Sequence, residues 1–114
     1  MQSNAVVHAT ALDLRLEHEP VPAEQSVRGE PTTATAVLGD FAGHEVGVWE
    51  MSPGVMTDTE ADEVFVVLSG AATVEFGDGG PALVLGPGDV VHLASGTETV
   101  WTVTETLRKV YLVG

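Results

Sequence analysis

Cysteine is absent from the 114-residue chain, and basic residues are scarce, with 4 Lys and Arg against 17 Asp and Glu. The lack of cysteine excludes disulfides, thiolate zinc sites, iron–sulfur clusters and a cysteine nucleophile. The formal net charge of -13 creates a field that repels phosphate backbones and anionic lipid. We therefore expect neither nucleic acid nor a membrane among the partners of this acidic protein.

Long apolar runs are also missing, because no run approaches the roughly 18 residues that a membrane-spanning helix needs. Residues 1–4 (Met-Gln-Ser-Asn) lack the basic and apolar regions of a signal peptide, so we expect a cytoplasmic protein. Hydrophobic residues still make up 44% of the chain, which argues against disorder. The length suits one domain with one core.

The dominant hydrophobic period is two, which is the period of β-strands. Leucines at 12, 14 and 16 alternate with charged residues, so residues 11–16 are predicted to form a half-buried strand. Further short apolar runs, separated by Gly- and Pro-containing turns, occupy residues 46–51, 64–68, 72–76, 82–85, 90–94, 100–103 and 110–113. Many short strands at spacings of roughly 8–12 residues predict an all-β antiparallel sandwich or barrel.

Two motifs on either side of a central turn resemble those of the cupin superfamily. The first begins at Gly54 and ends with Glu63 and Gly70, which have the family's six residues between them. The second begins at Gly88 and has Thr99 where the family has a histidine. The resemblance implies a cupin double-stranded β-helix, also called a jelly-roll barrel, with an extended N-terminal arm.

A narrower resemblance, over about residues 30–112, is to the small single-domain cupins of the ureidoglycine aminohydrolase type, which are ethanolamine-utilisation-like. It rests on the order and spacing of short pieces: Gly47-Val48-Trp49-Glu50, Pro53-Gly54, Asp62-Glu63, Leu68-Ser69-Gly70, Gly86-Pro87-Gly88-Asp89, Ser95-Gly96, Trp101-Thr102-Val103 and Leu107-Arg108-Lys109-Val110-Tyr111. Many members of this kind have no assigned activity.

The resemblance also implies a domain organisation. Prolines at 20, 22 and 31 make the chain before the barrel extended and irregular. We expect residues 1–35 to form an N-terminal arm with one or two strands, packed on the barrel or on a dimer partner. Residues 36–114 are expected to form a single cupin barrel. Because cupins of this size commonly pair, and because an unpaired apolar edge is a liability, we expect a homodimer.

Cupins typically bind a divalent metal through His, His, Glu and His. The resemblance places Glu63 at the carboxylate position and Thr99 at the last histidine position. The first two histidine positions fall on Thr57 and Thr59, or on Met56 and Asp58. Since all three imidazoles are missing, we expect no cofactor. If a divalent metal binds, Glu63 and Asp58 are its expected ligands.

Four acidic residues, Asp58, Glu60, Asp62 and Glu63, precede the apolar run at 64. They offer oxygen ligands for Mg²⁺ or Ca²⁺, or they form a solvated loop, and we favour the loop for the first three. Glu63 begins the run and is expected to face the barrel cavity. It is our first candidate catalytic residue.

His92 is the second candidate catalytic residue. It interrupts the apolar run 90–93, and a polar ring there must find a partner or face water. Turned inward, it would lie near Glu63, and such a pair suits general acid–base chemistry near neutral pH. An outward or hydrogen-bonded structural histidine is the alternative that we favour.

Candidate ligand-binding residues come from the strands that carry the narrower resemblance: Trp49, Thr99, Trp101, Lys109 and Tyr111. Strand alternation puts Thr99 and Trp101 on one face, and we favour a core position for both tryptophans. Arg108 and Lys109 must point to opposite faces. One is a candidate anchor for a substrate carboxylate, and the alternative is an ion pair with a residue such as Glu50 or Glu105.

Three functions stay open. The first is a cupin of unassigned activity that binds or transforms a small organic metabolite in its cavity without the usual histidine-based metal site. The second is a non-catalytic dimerising or ligand-binding module. The third is a metal-dependent enzyme that resembles ureidoglycine aminohydrolase, which releases ammonia from a ureido-amine at a manganese site. We favour the first, and the sequence leaves open whether the protein is an enzyme.

Overall fold

A computed structural model describes residues 5–114, which form nine β-strands and no helix. The strands are β1 (Glu19–Pro20), β2 (Ser26–Arg28), β3 (Thr32–Phe41), β4 (His44–Met51), β5 (Gly54–Thr59), β6 (Glu63–Phe76), β7 (Leu83–Leu85), β8 (Val90–Leu93) and β9 (Glu98–Val113). The all-β prediction is confirmed. No helix within residues 5–114 is long and apolar enough to cross a membrane.

Strand β9 lies at the centre of one curled antiparallel sheet. One of its edges pairs with β5 along the first half and with β4 along the second half. The other edge pairs with β6, which also pairs with β7 and β8. Strands β3 and β1 extend the sheet beyond β4, and β2 extends it beyond β5. This curled sheet is the jelly-roll architecture that the resemblance implies.

Two pairs of predicted strands are in fact single long strands. The predicted runs 64–68 and 72–76 are both parts of β6, and the runs 100–103 and 110–113 are both parts of β9. The dipeptide Ser69-Gly70 was expected to be a turn, and this was wrong. The register between β6 and β9 shifts repeatedly between Val67 and Ala72, so β-bulges bend the strand there without ending it.

The concave face of the sheet carries the hydrophobic core. Alternation along β9 buries Thr99, Trp101 and Val103 together, as the sequence predicts. Trp101 is 1% exposed and packs against Phe65, with ring centroids 5.8 Å apart. The core therefore surrounds the tryptophan that lines the cavity described below.

Ala11 holds the N-terminal arm to the outer face of the sheet, whereas Val21 of the same arm belongs to the core. Residues 11–16 were expected to form a strand, and this was wrong, because residues 11–13 form a turn and residues 14–16 have no ladder partner. The Ala11 carbonyl instead accepts a hydrogen bond from Arg108 Nη1 at 2.8 Å. The expected pairing with a second copy stays a prediction.

Arg108 belongs to a polar cluster that fastens the arm to the sheet. Its Nε donates to Glu50 Oε2 at 2.8 Å, which is one of the two ion pairs that the sequence suggests. His18 lies 2.6 Å from Glu50 Oε1 and 2.8 Å from the Thr32 hydroxyl. Burial raises the pKa of Glu50, but the bonds to His18 and Arg108 outweigh it and leave that pKa below its usual 4.5.

We predict that Glu50→Gln destabilises the protein by about 1–2 kcal/mol at neutral pH, because two charge-assisted contacts are lost. A carboxyl whose pKa is lowered on folding stabilises the folded state above its unfolded pKa, and loses this effect as the pH falls through the folded pKa. Urea unfolding should therefore separate Glu50→Gln from the wild type at about pH 7 and much less at about pH 3. Glu105→Gln is the control, because Glu105 is exposed on β9. An equal difference at both pH values would contradict the prediction.

Candidate functional site

A cavity of about 260 Å³ opens on the concave side of the sheet. Its walls come from β3, β4, β5, β6 and β9 and from the loop after β5: Thr35, Glu45, Trp49, Asp58, Glu60, Glu63, Trp101, Lys109, Tyr111 and Val113. Three aromatic residues, four carboxylates and one ammonium therefore surround a space suited to a small organic molecule.

Lys109, the only lysine in the chain, is 5% exposed at this cavity. The β9 ladder places it between Trp49 of β4 and Val67 of β6. Its Nζ lies 2.8 Å from Glu63 Oε1 and within 5 Å of three ring centroids, at 4.2 Å (Phe65), 4.6 Å (Trp49) and 4.9 Å (Trp101). One carboxylate and three ring faces thus compensate the buried charge.

Glu60 is 7% exposed and connects the loop after β5 to the core. Its Oε2 accepts hydrogen bonds from the Thr99 hydroxyl at 2.6 Å and from Trp101 Nε1 at 3.1 Å. The expectation that Glu60 belongs to a solvated acidic loop was therefore wrong. The predicted burial of Trp101 could have indicated the position of Glu60, because a buried indole N–H needs a hydrogen-bond acceptor close by.

Asp58 lies on β5 beside Glu60, and its side chain is partly buried. Burial, together with the nearby Glu60 and Glu63 carboxylates, raises its pKa above the usual value, and the Thr59 amide and Lys109 only partly oppose this. The surroundings of Asp58 therefore disfavour its charged form.

Tyr111 donates its hydroxyl hydrogen to Glu45 Oε2 at 2.7 Å on the β4 side of the cavity. Burial and the adjacent Glu45 raise the pKa of the phenol, so it remains a neutral donor. Gly47 faces Tyr111 across the ladder, and a Cβ there would come within 2.6 Å of Tyr111 Cζ. Glu45 was not among the candidate residues, because its proximity to Tyr111 depends on the pairing of β4 with β9.

The structure does not bring His92 into the cavity. It pairs with Val64 across the β6–β8 ladder; its side chain is exposed, and Val64 is 42% exposed. Within residues 5–114, no hydrogen bond or ion pair joins His92 to Glu63, whose partner is Lys109. The suggested Glu63–His92 pair does not form, and His92 has the outward position that was the favoured alternative.

Most of the other candidate residues lie around one cavity. Trp49, Glu63, Trp101, Lys109 and Tyr111 line the cavity, as does Asp58. Thr99 is buried one layer behind, where it donates to Glu60. Lys109 rather than Arg108 points to the cavity, and strand alternation turns Arg108 to the outer face.

The donor set in the cavity does not fit a tightly bound transition metal. Glu63, at the position of the family carboxylate, already binds the Lys109 ammonium at 2.8 Å. The hydroxyl of Thr99, at a family histidine position, donates to Glu60 and is a poor replacement for an imidazole. In the described part of the chain, no three His, Asp or Glu side chains form a set able to hold a metal ion.

Solved structures resemble this fold closely. A protein of unknown function from Rhizobium leguminosarum bv. viciae 3841 is 26% identical, with a TM-score of 0.64, 71% of this chain covered and 79% of that one. A DUF861-family protein of unknown function from Pseudomonas syringae pv. tomato DC3000 is 24% identical, with a TM-score of 0.76 and 90% of this chain covered. This chain spans only 45% of that protein's length.

The EutQ protein of Clostridium difficile is also similar in structure, with 17% identity, a TM-score of 0.64, 83% of this chain covered and 79% of that one. At this identity the likeness shows the fold alone. None of the curated proteins matches the chain. Residues 39–111, well over half of the chain, match the EutQ-like cupin domain. The chain therefore belongs to the EutQ-like cupin domain family.

Proposed function

We propose that this protein binds a small organic metabolite in its barrel cavity and does so without a transition metal. The observation that carries the proposal is the Lys109–Glu63 ion pair beneath three aromatic rings. Cupins typically bind a metal cation with the carboxylate at the position of Glu63, whereas here that carboxylate binds a cation that belongs to the chain. The ammonium is a fixed point charge, and a ligand can be positioned against it.

Lys109 retains the capacity to bind a ligand. An ammonium has three N–H donors, and within residues 5–114 its one ion-pair partner is Glu63. We propose that one of its other donors bonds an oxygen of a ligand in the cavity, which Lys109 lines. If the ligand is also transformed, Asp58 is the group best suited to accept a proton, since its pKa is raised and it lines the same cavity.

The metal content of the protein tests this proposal. We predict less than about 0.1 equivalent of manganese, iron, nickel or zinc per chain in untagged protein purified without chelator, because Glu63 is already paired with Lys109 and no described histidine lines the cavity. Elemental mass spectrometry measures this directly, with Glu63→Gln as the paired sample. Near-stoichiometric metal that disappears in Glu63→Gln would overturn the proposal.

The metal content decides one of the two remaining alternatives, and small-molecule binding decides the other. A ureidoglycine aminohydrolase-like activity depends on a metal, so stoichiometric metal would make it the leading candidate. A non-catalytic module without a ligand predicts a cavity that binds no small molecule. The presence of an open cavity lined by Lys109 supports ligand binding over that alternative.

A further inference from the structure

The charges that line the cavity are strongly unequal. Glu63 is balanced by Lys109, but Glu45, Asp58 and Glu60 line the same space. Among the described residues, no cation other than Lys109 lines it, and Arg108 is bound to Glu50 on the outer face. The cavity therefore retains excess negative charge inside a chain whose net charge is -13.

The aromatic walls add to this preference for positive charge. Trp49 and Trp101 lie with ring centroids 5.7 Å apart and planes tilted by 56°, and both line the cavity. Their faces already lie within 5 Å of one ammonium, that of Lys109. Ring faces attract cations through their quadrupole, and Trp49, which is only partly buried, is the tryptophan that a second organic cation can reach.

We infer that the cavity selects a small organic cation, a protonated amine or a guanidinium, whose positive end lies against Asp58 and the Trp49 ring. An oxygen at the other end of the ligand accepts a hydrogen bond from Lys109. This inference rests on the proposed function, since it names the ligand class of the same cavity. A small anion is disfavoured, because at Lys109 it would share the cavity with three carboxylates.

A bound cation would stabilise the charged form of Asp58, which its surroundings disfavour. The groups that face it are Glu60, Glu63, Lys109 and the Thr59 amide, with Gln25 Nε2 at 3.5 Å. Burial and the two glutamates disfavour its charge, so an arriving cation relieves repulsion and holds Asp58 ionised. Binding of the cation should therefore weaken at acidic pH, where Asp58 is protonated.

The test compares three probes of similar size and different charge: benzylamine, benzyl alcohol and benzoate. The indole N–H signals of Trp49 and Trp101, the only tryptophans in the chain, report on the cavity in NMR titrations of ¹⁵N-labelled protein. At neutral pH and constant ionic strength, we expect benzylamine to bind at least about tenfold more tightly than benzyl alcohol, with benzoate the weakest.

Two variants locate the effect. Asp58→Asn should weaken benzylamine binding about tenfold and change benzyl alcohol binding by less than about twofold. Asp40→Asn removes the same charge from an exposed position on β3 and should leave both affinities within about twofold. The weakening of benzylamine binding at acidic pH should also disappear in Asp58→Asn.

Several outcomes overturn the inference. Tighter binding of benzoate than of benzylamine would mean that the cavity binds ligands but selects anions. Equal effects of Asp58→Asn and Asp40→Asn would mean that the preference for benzylamine comes from the net negative charge of the whole protein and not from the cavity. No binding by any probe also overturns it, whereas the metal-free proposal fails only through the metal analysis. If Asp58→Asn does not fold, the ranking of the three probe affinities for the wild-type protein decides whether the cavity selects cations.

Discussion

Gly70→Ala should destabilise the protein by about 3–5 kcal/mol, a large share of the roughly 5–15 kcal/mol that a domain of this kind has. Gly70 has a φ of +95° within β6, a conformation that costs an alanine about 1–2 kcal/mol. A Cβ there would also overlap the Thr106 carbonyl oxygen and come within 2.7 Å of Leu107 Cα. Because these are backbone atoms of the paired strand, no side-chain rotation relieves the contact.

Gly88→Ala is the matched control for this prediction. Gly88 has nearly the same φ, +93°, but a Cβ there meets nothing within 4 Å. It should therefore cost only the conformational part, about 1–2 kcal/mol. Urea unfolding followed by circular dichroism measures both variants. Equal destabilisation would contradict the steric argument and leave the φ value as the whole cause.

The Gly70 contact also shows what the sequence could and could not predict about the fold. Period-two alternation and turn residues predict an all-β chain, and the motif spacing predicts the cupin class. The continuity of β6 through Ser69-Gly70 depends on how closely β9 approaches that strand, a long-range contact that a local turn signal does not contain. Residues 11–16 failed for a related reason: alternation shows which face is apolar and not whether a neighbouring strand exists.

For the candidate site, the sequence predicted which residues take part but not how they pair. The resemblance and strand parity identified Trp49, Glu63, Trp101 and Lys109, and all four line the cavity. Sequence reasoning missed the pairing of Glu63, because its partner Lys109 is 46 positions away and lies on the neighbouring strand β9. The direction of the His92 side chain was ambiguous for a local reason. A bulge in a strand reverses the face on which the following residues lie, and the sequence does not show where bulges occur.

The Lys109–Glu63 pair should show the strongest coupling between any two residues of the site. Lys109→Met keeps most of the length of the side chain but leaves Glu63 as an uncompensated charge, with 11% of its side chain exposed. We expect a loss of about 2–4 kcal/mol, somewhat less than for a fully buried pair, because the carboxylate reaches the solvent of the cavity. Arg28→Met, which removes an exposed cation from β2, should change stability by less than about 0.5 kcal/mol.

Glu63→Gln alone should also be costly, because it leaves the Lys109 ammonium among three rings with no carboxylate partner. The double variant Lys109→Met/Glu63→Gln removes both charges, so it should be more stable than the Lys109→Met single variant. Urea unfolding of the four proteins completes the double-mutant cycle. A coupling energy below about 0.5 kcal/mol would mean that the pair acts as two independent charges. It would also remove the physical reason for treating Lys109 as the built-in cation of a metal-free site.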